Sequence, residues 1–117
     1  MSGSGRDWRL YADDILEACE KIRQYIDGMT YQGFLEDART RDAVLRNLEI
    51  VGEAAKRLPA EATALAPGVE WRKVRGMRDI LAHAYFGLDN KVVWDTAATK
   101  APEVQAAVRR ILASAID

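Results

Sequence analysis

The sequence has one cysteine and one histidine in 117 residues, and each scarcity closes off a class of chemistry. Cys19 has no second thiol to pair with inside the chain, and with His83 as the only imidazole no zinc site of the Cys/His type can be assembled. No run of about 18 apolar residues exists, so no membrane-spanning segment is expected. An excess of either charge is also missing. Seventeen Lys and Arg oppose eighteen Asp and Glu, for a net charge of -1. That balance excludes a histone-like cationic coat, so nucleic-acid binding has to come from a local patch. A disordered charged tail is excluded as well, because 49% of the residues are hydrophobic. The opening Met-Ser-Gly-Ser-Gly lacks the charged and apolar regions of a secretory signal. The expectation is a flexible leader over residues 1–6 and a single domain over 7–117, soluble and cytoplasmic.

Proline occurs three times and strand-like alternation is absent, which points to an all-α domain. From about Asp7 to Met29, Trp8, Tyr11, Ile15, Ala18, Ile22, Tyr25 and Met29 recur at helical spacing, opposite Asp14, Glu17, Lys21 and Arg23. Tyr31 to Glu36 reads as a short helical turn. A second long helix is expected from Thr40, taken as its N-cap, to Leu58, with Val44, Leu48, Val51, Ala55 and Leu58 inward. Gly52 in its middle costs about 1 kcal/mol relative to Ala, which suggests a close helix contact. A third helix should start near Glu70, turning Trp71, Val74, Met77, Ile80 and Leu81 to the core and ending by Gly87. The last should run from Lys91 to Ile116, broken or kinked at Pro102. Short connections favour an antiparallel bundle of four to five helices.

Chemistry concentrates in one segment. Arg72, Lys73, Arg75 and Arg78 place four cations in seven residues, followed by Asp79, the lone His83 and Tyr85. Asp79 and His83 lie four apart, on one helix face. Arg78 and His83, five apart, diverge by about 140° on an ideal helix, yet can meet on one ligand at a helix end. The set suits RNA phosphodiester cleavage. Histidine carries a proton at neutral pH, and arginine offers a permanent fork of donors to phosphate. Acid and base roles want two groups, and a homodimer with facing copies would supply the second. The same residues also fit blander roles: a capping histidine, an i,i+4 pair, a solvated basic face, and aromatic residues Trp71, Phe86 and Trp94 in the core. Glu49 and Glu53 are like charges at i,i+4 and read as a solvated face with Arg57 nearby.

Arg78-x4-His83-x-Tyr85 resembles the signature of HEPN-domain proteins of the HepT type, the toxin half of HepT/MntA toxin–antitoxin modules. Arg46-Asn47-Leu48-Glu49-Ile50-Val51-Gly52-Glu53-Ala54-Ala55-Lys56-Arg57-Leu58 resembles the family's second long helix, and Val93-Trp94 the start of its last. The resemblance covers about Asp7 to Ala113. It implies a HEPN-like helical bundle that dimerises and acts as a metal-independent endoribonuclease, with Arg78 and His83 as the catalytic pair. It further implies an MNT-type nucleotidyltransferase antitoxin that adds AMP to Tyr85. The toxin would need no cofactor, since ATP and Mg²⁺ would belong to the antitoxin. Asp79 stands where the family often has asparagine, and would orient or tune His83. Arg72, Lys73 and Arg75 would guide an RNA backbone, such as that of tRNA or mRNA. The homodimer could extend to a larger toxin–antitoxin complex. Alternatives are a nucleotide- or substrate-binding companion subunit of a nucleotidyltransferase, or a helical interaction protein.

Overall fold

A computed structural model describes residues 7–85 and 89–114; the leader expected over 1–6 and the helix end expected near Gly87 lie outside the described residues. Helix α1 spans Trp8–Ile26 and opens on Asp7, whose carboxylate accepts from the Arg9 amide at 3.0 Å. It ends where Asp27 leaves helical geometry and Gly28 takes φ +73°, a left-handed conformation that a side chain would strain. α2, Tyr31–Leu35, starts on Thr30, whose hydroxyl accepts from the Gly33 amide at 3.0 Å.

Helix α3 spans Ala38–Ala55, three turns of it facing the core through Val44, Leu48 and Val51. Its cap is Asp37, not Thr40. The Asp37 carboxylate accepts from the Thr40 amide at 3.0 Å and from the Thr40 hydroxyl at 2.8 Å. Asp outcompetes Thr here because one carboxylate satisfies two donors of the first turn. A short α4, Ala60–Thr63, follows Pro59. The helix expected to run unbroken from Glu70 is two: α5, Trp71–Arg75, and α6, Met77–Tyr85, divided at Gly76. Ile80, expected inward, is 36% exposed, while Met77 and Leu81 are buried. Ile80 lies nine residues after Trp71, about 180° around a regular helix, so repeated steps of three have drifted off the core face by that point, while Leu81 falls back onto it.

The final helix is continuous from α7, Asn90–Asp95, through a π-helical stretch, Thr96–Lys100, into α8, Ala101–Ser114. Ala101 donates its amide to the Thr96 carbonyl, five residues back, in the wide turn just before Pro102. Proline has no amide to donate and its ring would strike the carbonyl of Ala98 in a regular helix. Pro102 is accordingly the second residue of α8, one place from the expected fresh start.

Packing centres on α1, which lies against both α3 and α8. Ile15 and Ile22 of α1 meet Val44, Leu48 and Val51 of α3 and Val108 and Ile111 of α8 in a core where all are essentially inaccessible to solvent. Each such side chain contributes roughly 1.5–3 kcal/mol of transfer free energy. Phe34 of α2 stacks tilted on Trp94 of α7 at 5.2 Å, closing the other end. Among the described residues there is no strand, and no buried side-chain polar atom lacks a partner. The molecule is an all-α bundle.

Candidate active site

The site is built on the approach of α3 to the α5–α6 corner. A methyl group on Gly52 would lie 3.2 Å from Met77 Cβ and 3.2 Å from the Val74 carbonyl, closer than most side chains tolerate. Glycine is therefore what lets the start of α6 press against α3. The next residue along each helix is functional in kind: Glu53 on α3 and Arg78 on α6. Arg78 is exposed and lies close enough to Glu53 for its charge to be felt there. The Glu53 carboxyl sits below the usual carboxylate range, chiefly because Lys56 donates to it at 2.9 Å. The positive charges of Lys56, Arg78 and Arg57 add to this against partial desolvation.

Glu53 also lines an open groove between α1 and α3, formed by Tyr11, Asp14, Arg46, Glu49, Ile50, Glu53, Ala54 and Arg57, with a volume of about 370 Å³. The Arg57 guanidinium lies over the Tyr11 ring, 6.0 Å from its centroid. Glu49, half-buried, and Glu53, exposed, are thus solvated and line this groove together, with Arg57 beside them. Tyr11, which periodicity assigns to the core, is half-buried at the groove.

The motif residues share one helix. Arg78 and Asp79 occupy the first turn of α6, both exposed, and the backbones of His83 and Tyr85 continue it. The side chains of His83 and Tyr85, and Phe86, lie outside the described residues. Of the three cations proposed to guide RNA, Arg72 and Lys73 are exposed on α5 and Arg75 is half-buried. Lys73 pairs with Glu70 at 3.3 Å and lines a second cavity of about 200 Å³ between α3, α5, α6 and α8, on the side away from the groove. Among the described residues no group of three His, Cys, Asp or Glu is placed to hold a metal ion, and no helix is long and apolar enough to cross a membrane.

Residues 15–111 match the family model described as Ribonuclease HepT-like. The chain belongs to the HepT-like ribonuclease family. Among its relatives, the Thermococcus cleftensis protein named "Probable ribonuclease HepT" is 41% identical over 100 residues, covering 86% of this chain and 91% of that one. A Caldanaerobacter subterraneus subsp. tengcongensis protein named "Putative RNase" is 38% identical over 104 residues, covering 89% of this chain and 93% of that one. A Methanocaldococcus jannaschii protein with the same descriptive name is 39% identical over 97 residues, 83% and 80% of the two chains. No solved structure gives a significant match. Family membership supports ribonuclease activity as the general function of this HepT-like chain.

Proposed function

We propose that this chain is the toxin of a toxin–antitoxin module, a metal-independent endoribonuclease that works as a homodimer. One observation carries the reading. Arg78-x4-His83-x-Tyr85 falls on a single helix, α6, in a chain of the HepT-like ribonuclease family. In the proposed reaction a 2′-oxygen of RNA attacks the adjacent phosphorus and the 5′-oxygen of the next nucleotide leaves. His83 of one subunit takes the 2′-hydroxyl proton, and the partner copy of the same residue returns one to the leaving oxygen. Arg78 holds the non-bridging oxygens as the fifth bond to phosphorus forms. Asp79, one turn before His83, orients or tunes the imidazole.

Tyr85 is the proposed regulatory site. An MNT-type nucleotidyltransferase antitoxin, using ATP and Mg²⁺, would join the α-phosphorus of ATP to the Tyr85 oxygen and release pyrophosphate. The added phosphate would bring negative charge and bulk to the helix that carries Arg78, in competition with RNA phosphate.

The deciding experiment is RNA cleavage by the purified protein in EDTA, comparing wild type, Arg78→Ala and His83→Ala, with mass spectrometry of Tyr85. Cleavage that persists in EDTA and disappears in both variants, with helical content unchanged, is the expected result. Cleavage unaffected by His83→Ala would overturn the mechanism. No cleavage by a wild type whose Tyr85 is unmodified would favour a nucleotide-binding companion subunit of a nucleotidyltransferase.

A further inference from the structure

Resting on the ribonuclease reading, we infer that the α1–α3 groove is a base-recognition subsite that seats a guanine beside the phosphate held by Arg78. Its volume of about 370 Å³ falls in the range of roughly 300–1,000 Å³ typical of small-molecule sites. Its composition is the stronger argument. Arg46, near the middle of α3, and Arg57, just past its end, flank Glu49 and Glu53, and Asp14 lines the groove from α1. A groove made only to hold the RNA backbone has no use for three carboxylates, which repel phosphate. A groove that reads a base does.

A carboxylate has two oxygens and about four lone-pair sites, so it can take donors from a ligand while keeping a protein partner. Guanine presents two adjacent donors, the N1 and N2 hydrogens, which match the two oxygens of one carboxylate. Adenine and cytosine offer one amino group each. Uracil sets carbonyl oxygens on both sides of its single N3 donor, and a carboxylate rejects them. The Glu53 carboxyl, held below the usual range by Lys56 and Arg78, is ionised at neutral pH and so is an acceptor only. Its ion pair with Lys56 has both partners about half exposed, at 55% and 45%, so a base edge can replace it at little cost. The Tyr11 ring with the Arg57 guanidinium over it supplies the kind of planar surface on which single-stranded RNA bases stack. The distance from the groove to Arg78 is set by Gly52, which seats α6 directly on the helix that carries Glu49 and Glu53. The subsite is assigned to single-stranded RNA, whose bases are free to turn into a groove.

The test is an NMR titration of the intact protein with GMP and with UMP, repeated on a Glu49→Gln/Glu53→Gln double variant, beside mapping of cleavage positions. GMP should bind about tenfold or more tighter than UMP, the discrimination one bidentate pair provides. Backbone shifts should fall on residues 11–14 and 46–57. In the double variant the two nucleotides should bind alike, and sedimentation should show its assembly state unchanged. Equal binding of GMP and UMP by wild type, shifts confined elsewhere, or a preference that survives in the double variant would each overturn the inference. So would a double variant that changes assembly state while keeping its nucleotide preference, since the groove would then be a contact between copies of the chain. The two readings fail separately. RNA cut without preference for a neighbouring guanine removes the subsite and leaves the ribonuclease. Selective GMP binding without RNA cleavage removes the ribonuclease and leaves a guanine-nucleotide site.

Discussion

Replacing Gly52 by alanine sets two known effects against each other. An interior helical glycine gives up about 1 kcal/mol relative to alanine, so on propensity alone Gly52→Ala is stabilising. The new methyl, however, would meet Met77 Cβ and the Val74 carbonyl, each at 3.2 Å. Neither is the free end of a flexible side chain: one is the root of a buried residue, the other is backbone. Relief requires α5 and α6 to retreat from α3 by a few tenths of an ångström, and overpacking of this kind costs roughly 1–3 kcal/mol. The net expectation is a loss of about 1 kcal/mol, or a fall in Tm of roughly 4 °C for a domain of this size. Urea denaturation should show an earlier midpoint with an unchanged slope. Gly33→Ala is the control, because a methyl there meets nothing nearer than the Thr30 hydroxyl at 3.4 Å. It should be neutral or stabilising by up to about 0.5–1 kcal/mol. The displacement also separates Arg78 from Glu53, so Gly52→Ala should lower RNA cleavage more than its stability loss explains at 25 °C. A Gly52→Ala protein as stable as wild type or more so would refute the close-packing argument, since propensity would then act unopposed.

Three further outcomes follow from other parts of the bundle. Trp71→Phe removes the donor that the Ala66 carbonyl uses at 3.0 Å in a buried setting, and should cost about 1–3 kcal/mol in chemical denaturation. Cys19, buried and with its thiol pushed up to about 12 by burial, should resist disulfide-exchange reagents at pH 8 in the native protein and react at once in urea. Glu20 titrates at about 2 instead of its ordinary 4.5, first because Arg23 donates to its carboxylate. Its folded value is depressed, so its contribution to stability is complete above pH 4.5 and fades as pH falls towards 2. Carbon-detected NMR should show that low midpoint in wild type and a higher one in Arg23→Gln, where Gln105 and Gln24 still donate; identical midpoints would remove Arg23 as the cause.

The apolar spacing of α1 and α3 is regular enough that both helices, and Gly52 as a contact, are legible in the sequence. Local competition is less so. Asp37 displaces Thr40 as the cap because it can serve two donors, a comparison that needs the loop geometry before α3. Gly76 divides a helix that periodicity draws as one, and Ile80 faces outward because steps of three from Trp71 drift about 60° each away from the core face. At the site, Arg78, Asp79, His83 and Tyr85 stand out because they are neighbours in the chain. The groove does not, because Tyr11 and Asp14 meet Glu49, Glu53 and Arg57 only after α1 pairs with α3. The one local signal was the like-charge pair Glu49 and Glu53, which a helix without a use for it would tend to avoid.

The wide turn before Pro102 lets this helix change length without turning its face. Val93 and Ala101 both point to the core, eight residues apart, a spacing that would leave them about 80° out of phase on a regular α-helix. The π-helical stretch Thr96–Lys100 takes up the surplus residue. Remove one residue there and the separation becomes seven, about 20° from perfect phase, which an uninterrupted α-helix carries unaided. Only Pro102 stands in the way, since an unbroken helix would drive its ring into the preceding turn. A chain one residue shorter at this point, with alanine in place of the proline, keeps the same inward stripe from Val93 to Ile111. Length and proline therefore form a coupled pair, and either change alone is costly where both together are not.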